Sequence, residues 1–395
     1  MMMIRMNYLH LLLLCQYYYN VHSFTTTAVV VKQQRVGARN SVVWMSMSAT
    51  TTTKTAKTAS WTFRGHDVYT ETTTVPTDSN PLSGFFQSFS NKKQPTVLLV
   101  HGFGCSSTYW RETKTALTKS GIEVHALDLL GQGKSAKPGR ADGIEYSIHL
   151  WADLIDAYIQ ENIPNGEIIL CGNSLGSLVA LSAVTGDFST TETTATTTTT
   201  TTWTDRCKGI CMFNVGVGLN SRGIANELQW TPFQRYLINA LYNVLDALIF
   251  SNTVLLKYVL DEVVTQDLLR DTLSSLYKCQ PDRVDDELVN SFFGPAQDAG
   301  SVEALSQIYT NEPGATPMDL HRNYPVLLTK IPIHLIWGDD DAVTPIQGGV
   351  GTFYTQMASE QDNNVSFQVV SSGHIPFDDN PVDSHNSMLQ WINKL

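Results

Sequence analysis

Three short stretches carry side chains that could do chemistry together. In Gly172-Asn173-Ser174-Leu175-Gly176 a serine sits between two glycines, with an apolar run before it (Glu167 to Cys171) and another after it (Leu178 to Val184). That order predicts a sharp strand-to-helix turn, in which a side chain two residues either side of Ser174 would collide; hence Gly172 and Gly176. The turn presents the Ser174 hydroxyl at a helix N-terminus, where the positive end of the dipole favours developing negative charge. Ordinary turns also produce Gly-x-Ser-x-Gly, so the flanking strand and helix carry the specificity.

A serine hydroxyl is a weak nucleophile until a base takes its proton, and the base needs a carboxylate to fix its tautomer. The run Val365 to Val370 leads into Gly373-His374, and the run Pro332 to Trp337 leads into Gly338-Asp339-Asp340-Asp341. His374 is the expected base. Chemistry alone leaves the three aspartates equivalent. His125 lies in a predicted strand, His149 and His385 lie in predicted helices, and His321 ends a helical insertion; these are read as packed or surface histidines. After the run Thr96 to Val100 comes His101-Gly102-Phe103-Gly104. Its glycines, Gly102 and Gly104, allow close approach, and the backbone N–H groups of Phe103 and Leu175 are the expected donors to an oxyanion, with His101 shaping the loop. The set describes acyl transfer through a serine and calls for no metal and no cofactor.

The apolar runs, with Ile122 to Leu129 and Gly209 to Val215 added, alternate with helical stretches. This predicts an α/β fold, a mostly parallel central sheet flanked by helices, its strands buried on both faces. Trp61 to Tyr69 is read as one further element that starts the sheet. Two interruptions stand out: an almost pure threonine tract at 189–202, read as a disordered loop, and a helical cap at 217–321. The cap separates a first core part, 61–216, from a second, 322–395. From Trp230 to Phe250 the apolar positions Phe233, Leu237, Ala240, Leu241, Val244, Leu245 and Leu248 fall three or four apart. This stripe could line a prenyl-sized groove, pack on the sheet or lie on a membrane surface.

Six of the 26 basic residues and no acidic residue fall in positions 1–60, so the rest of the chain holds 20 basic against 37 acidic residues, a net charge of about −17. So acidic a body excludes nucleic acid as a partner. Arg5 before the apolar run Leu9 to Cys15, then Val21 and Ser23, has the form of a signal peptide. The acid-free, Ser/Thr-rich stretch to about Ser60 has transit-peptide composition. The expected destination of this two-part leader is a plastid inside extra membranes, with secretion or an endomembrane lumen as the alternative. Cys207 and Cys211 lie four apart in a predicted strand, where period two puts both thiols on one face. The sequon at Asn364 carries little weight.

Taken together, Leu98 to Gly104, Asp128 to Ser135, Gly172 to Gly176, Trp337 to Asp341 and Gly373-His374-Ile375-Pro376 closely resemble the α/β-hydrolase superfamily, over everything but the leader and the threonine tract. Within it the chain looks most like chloroplast hydrolases of the pheophytinase and chlorophyll dephytylase type, a likeness to which Val284 to Val289 and Gly294-Pro295-Ala296 add. The resemblance implies that the acid follows Gly-x-x, which selects Asp341 over Asp340. A departure is Ile375, where that group often has cysteine. A serine at 174 argues against the aspartate-driven chemistry of haloalkane dehalogenases and epoxide hydrolases.

The expected activity is hydrolysis of a small hydrophobic carboxylic ester, which the plastid-like leader, the resemblance and the apolar cap helix extend to the phytyl ester of a chlorophyll-type pigment. Peripheral contact with the thylakoid membrane is expected, and no obligate protein partner is implied. Competing readings are carbon–carbon bond hydrolysis, cofactor-free peroxidation and a non-enzymatic ligand-binding protein on the same scaffold.

Overall fold

The structure, a computed structural model, describes residues 56–74, 94–186, 203–220, 231–360 and 364–395. The leader up to residue 55, the threonine tract at 189–202 and the start of the cap helix at Trp230 lie outside the described residues.

The described strands form one eight-stranded sheet in the order β1-β2-β4-β3-β5-β6-β7-β8. They are β1 (Ala56–Phe63), β2 (His66–Thr73), β3 (Thr96–Val100), β4 (Val124–Leu127), β5 (Ile168–Asn173), β6 (Cys207–Phe213), β7 (Ile333–Gly338) and β8 (Val365–Val370). The sheet is parallel from β4 to β8, while β2 runs antiparallel to both its neighbours. Strands β3, β5 and β7 are β-branched and leucine-rich because they have no solvent face. Successive side chains feed two cores: Leu98 and Val100 pack on one side of the sheet, Val97 and Leu99 on the other. Helices α1 (Arg111–Lys119), α2 (Ile148–Asn162) and α3 (Leu175–Thr185) help cover it, as do the later helix Gly349–Ser359 and the C-terminal helix Pro381–Ile392. The helix α3, which follows the predicted nucleophile, carries no charge and is buried along its whole length.

Four readings need correction. Trp61 to Tyr69 is not one element. Arg64 (φ 49°) and Gly65 (φ 82°) make a two-residue turn between β1 and β2, left-handed at both positions as hairpins prefer. Strand β1 also begins at Ala56, so five residues assigned to the leader belong to the sheet; threonine-rich composition suits an edge strand as well as a transit sequence. The terminal strand β8 is not buried on both faces: Ser366, Gln368 and Val369 are exposed, because β7 is its sole neighbour in the sheet. Finally, Cys207 and Cys211 do not share a face. Ile168 pairs with Cys207 but Ile169 with Gly209, and this slip in register turns Cys207 toward one core and Cys211 toward the other.

The described part of the cap is helical: α4 (Pro232–Leu245), which runs into a π turn (Asp246–Phe250), α5 (Thr253–Tyr258), a second π turn (Val259–Val263), α6 (Gln266–Ser274), α7 (Asp286–Ala296) and α8 (Ser301–Thr310). It sits over the carboxyl ends of the strands. From the segment after β4, Lys137 Nζ meets Asp298 at 2.7 Å, the Arg140 N–H donates to Glu303 at 2.7 Å, and the Tyr146 N–H donates to Gln307 at 3.2 Å. The boundary at 321–322 cuts through α9 (Pro317–Asn323), a helix that packs on α3 of the core. The α4 stripe does not pack on the sheet: Phe233, Leu237, Leu241, Val244 and Leu248 are 44–69% exposed.

Candidate active site

Ser174 joins β5 to α3 with φ 52° and ψ −120°, a conformation that costs a non-glycine residue about 1–3 kcal/mol and persists only where its surroundings impose it. They do so here. The Ser174 N–H donates to the Phe213 carbonyl at 2.9 Å, and its own carbonyl accepts from Gly216 and Ser177 at 3.0 Å. A Cβ on Gly172 would stand 2.4 Å from the Gly176 oxygen, and one on Gly176 would stand 2.2 Å from the Val100 oxygen. Both neighbours of Ser174 are buried, while Ser174 itself keeps access to solvent.

The loop after β3 lies against this turn. A Cβ on Gly102 would sit 3.4 Å from Ser174 Cβ. The Gly102 N–H donates to the Tyr109 hydroxyl at 2.7 Å, which donates to Asn173 Oδ1 at 3.2 Å; the Gly104 N–H donates to Gln132 at 2.6 Å. The His101–Gly102 and Phe103–Gly104 peptides are thereby fixed. His101 Nε2 accepts from the Leu129 N–H at 2.9 Å, so Nδ1 carries the proton and donates to the Gly102 carbonyl at 2.7 Å. Burial pulls the His101 pKa down, which keeps the ring neutral for this double role. Leu175 is buried at the head of α3, and glycine at 216 leaves room beside its N–H, where a Cβ would intrude to 2.9 Å.

Of the three adjacent aspartates, Asp341 reaches the histidine: His374 Nδ1 lies 2.9 Å from its Oδ2 and 3.0 Å from its Oδ1. Asp340 is exposed, and Asp339 pairs with Lys278 at 2.9 Å. Asp341 is buried and accepts from the Val343 N–H at 2.7 Å, the Thr344 N–H at 3.1 Å, the Thr344 hydroxyl at 2.7 Å and the Asn214 amide. Burial works against its ionisation, but the adjoining imidazole and these donors hold the carboxyl below the usual carboxylate range. Asn173 closes the circle, donating to the carbonyls of Phe213 at 3.2 Å and His374 at 3.3 Å. The Ser174 turn, the 101–104 loop and the Asp341–His374 pair thus share one hydrogen-bonded frame.

A family model for the alpha/beta hydrolases matches residues 97–384, from β3 into the C-terminal helix. The chain belongs to the alpha/beta hydrolase family. Among curated family relatives, the probable lysophospholipase BODYGUARD 1 of Arabidopsis thaliana is 35% identical over 100 residues, 24% of this chain and 21% of that protein. A haloalkane dehalogenase of Mycolicibacterium paratuberculosis is 31% identical over 104 residues, 26% of this chain and 34% of that protein. The aligned stretches thus span a fifth to a third of those relatives. Among solved structures, a thermophilic esterase from Thermogutta terrifontis superimposes with a TM-score of 0.54 at 16% identity, covering 87% of this chain and 99% of that one. The haloalkane dehalogenase DbeA from Bradyrhizobium elkani gives 0.55 at 18%, covering 86% and 98%. At such identities the shared property is the fold.

Sequence reasoning missed several residues on which this hydrolase-family site depends. Asn214 (φ 44°) links Asp341, the Gly338 N–H at 3.1 Å and the Gly373 carbonyl; its signal was a polar residue at the end of a buried strand. Tyr109 sat unnoticed in a 3-10 turn. Asp379, wholly buried, accepts from the backbone N–H groups of Lys278, Cys279, Gln280 and Gly373, all at 2.8–2.9 Å. Its neighbour Asp378, also wholly buried, meets Arg111, Arg283 and the Tyr277 hydroxyl. Together with the His374 N–H donating to the Leu276 carbonyl at 2.9 Å, these contacts fasten cap residues 276–280 to the histidine loop. The sequon amide at Asn364 donates to the carbonyls of Leu328 and Ile331, a local structural duty.

Proposed function

We propose that the protein hydrolyses a hydrophobic carboxylic ester through an acyl-enzyme on Ser174. The observation that carries this reading is the buried Asp341–His374 pair, tied through the His374 carbonyl to the amide of Asn173, the residue before a strained, solvent-accessible Ser174. His374 takes the Ser174 proton as the oxygen attacks the acyl carbonyl. The N–H groups of Phe103 and Leu175 receive the oxyanion. The imidazolium then protonates the departing alcohol, and in the second half-reaction His374 activates a water that releases the acid.

Two lines support a long apolar substrate. The mouth beside the oxyanion loop is aromatic: Phe103 meets Tyr309 edge-on at 5.5 Å, and Tyr309 stacks on Phe250 at 3.9 Å. The curated relative is named a probable lysophospholipase, and the chloroplast-hydrolase resemblance, with the plastid-type leader, extends the class to phytyl esters of chlorophyll-type pigments. Labelling with a fluorophosphonate tests the chemistry: wild type should label and Ser174→Ala should not, while equal labelling of both, or of neither, overturns the serine mechanism. Release of phytol from pheophytin or chlorophyll, against release of fatty acid from lysophosphatidylcholine, then separates the two substrates. Turnover of neither removes the claim of a long apolar chain.

A further inference from the structure

Of the fourteen large hydrophobic side chains exposed among the described residues, ten fall between Phe233 and Val263. On α4 and its π turn, Phe233, Leu237, Leu241, Val244 and Leu248 recur at intervals of four, four, three and four, one continuous stripe down the helix. Tyr236 borders it at 69% exposure, and Val254 and Tyr258 of α5, at 80% and 58%, extend it. Scattered exposed apolar residues need no explanation, but a contiguous set on one cap element does.

We infer that this face of the cap seats on the surface of a lipid bilayer of uncharged or zwitterionic headgroups. Charge selects the occupant. The helix α4 carries one charged residue, Arg235, and residues 231–263 hold two basic residues against three acidic ones; Lys257 is already paired with Asp261 at 2.7 Å. An anionic surface would gain nothing from such a face and would repel a chain whose body is acidic. A protein partner needs a polar rim of matched hydrogen bonds around its apolar centre, whereas a hydrocarbon surface needs none. Tyr236 and Tyr258 have the amphipathic form that prefers the boundary between acyl chains and water. No helix of the described residues is long and apolar enough to cross a membrane, and α4, at 14 residues, would lie along the surface. The stripe also leads to the site: the π turn that ends it carries Phe250, stacked on Tyr309, which meets Phe103 of the oxyanion loop. A bilayer under α4 therefore lies at the aromatic mouth.

The inference is independent of the reaction, and flotation of the full chain with vesicles tests it. The wild type should float with phosphatidylcholine vesicles equally at low and high salt, and at least fivefold less with phosphatidylserine vesicles. The double substitution Leu237→Asp and Leu241→Asp, at exposed positions outside the site, should cut flotation tenfold or more while hydrolysis of a soluble short-chain ester stays unchanged. A wild type that stays with the soluble fraction, flotation that is undiminished in the double variant, or preference for the anionic vesicles would each overturn the inference. So would a dimer in size-exclusion chromatography that the same substitutions dissolve, because a second copy would then cover the face.

Discussion

Asn214 donates its side-chain amide to the same Asp341 oxygen that His374 faces, and its backbone is held in the left-handed region to do so. One residue just past β6 thus holds the carboxylate that follows β7 and, through the Gly373 carbonyl, touches the loop that carries His374. Replacing Asn214 by alanine should lower kcat by about a hundredfold, the size of effect expected when a catalytic group is displaced by about 1 Å, with little change in KM. Steady-state kinetics on a soluble ester checks this, and an unchanged kcat refutes it.

Asp341→Asn should cost about ten-thousandfold in kcat, because the amide leaves His374 in the wrong tautomer while geometry survives. Asp340→Asn, at an exposed position free of the histidine, should stay within about twofold. Comparable losses in the two variants would reassign the acid.

The elbow glycines make a steric prediction. Gly176→Ala drives a Cβ to 2.2 Å from backbone oxygen and should destabilise by more than about 4 kcal/mol, seen as loss of soluble protein. Gly143→Ala meets nothing within 4 Å and carries only the left-handed backbone strain of φ 78°, about 1–2 kcal/mol by denaturant melt. A Gly176→Ala protein of native stability would contradict the packing of α3 on β3.

How much of this was legible beforehand follows the physics of each feature. Strands β3, β5 and β7, with no solvent face, announce themselves as apolar runs, and the 101–104 loop, Ser174 and the three aspartates follow at their ends; β8, though partly exposed, is still apolar enough in sequence to point to His374 after it. The β1–β2 turn was lost because Arg-Gly lacks the Asn-Gly or Asp-Gly signature of a tight hairpin. The slip at Cys207 left no trace, since a bulge changes pairing without changing composition. Residue chemistry left the three aspartates equivalent and the family resemblance selected Asp341; the fold supplies the physical reason, which is burial and a partner 33 residues downstream in sequence. The orientation of α4 was equally opaque: an apolar stripe has the same period whether it faces a sheet or water.

Acid should loosen the fold through its interior histidines. Burial lowers His321, His334 and His385 from 6.5 to about 4, so between those values the unfolded chain binds protons that the folded chain refuses. The sign is fixed: stability is level above pH 6.5 and falls as pH drops toward 4, by on the order of 1 kcal/mol per pH unit for each histidine fully engaged. Thermal melts across that window check it. His385→Gln should flatten the acid slope, and a melting temperature that rises on acidification would contradict the assignment.

The clamp at Asp379 makes a last prediction. Asp379→Ala would leave four backbone N–H groups without their acceptor and should cost about 3–5 kcal/mol, whereas Asp379→Asn keeps a carbonyl oxygen and should lose less. Chemical denaturation of the two variants checks the order.

That clamp has a mechanical meaning. Residues 278–280 of the cap and Gly373 of the His374 loop hang from one carboxylate, so this edge of the cap is tied directly to that loop. A displacement of that cap edge is therefore passed to the loop that holds His374. On the proposed mechanism, a ligand that strains the cap there would reach the proposed base through the same carboxylate.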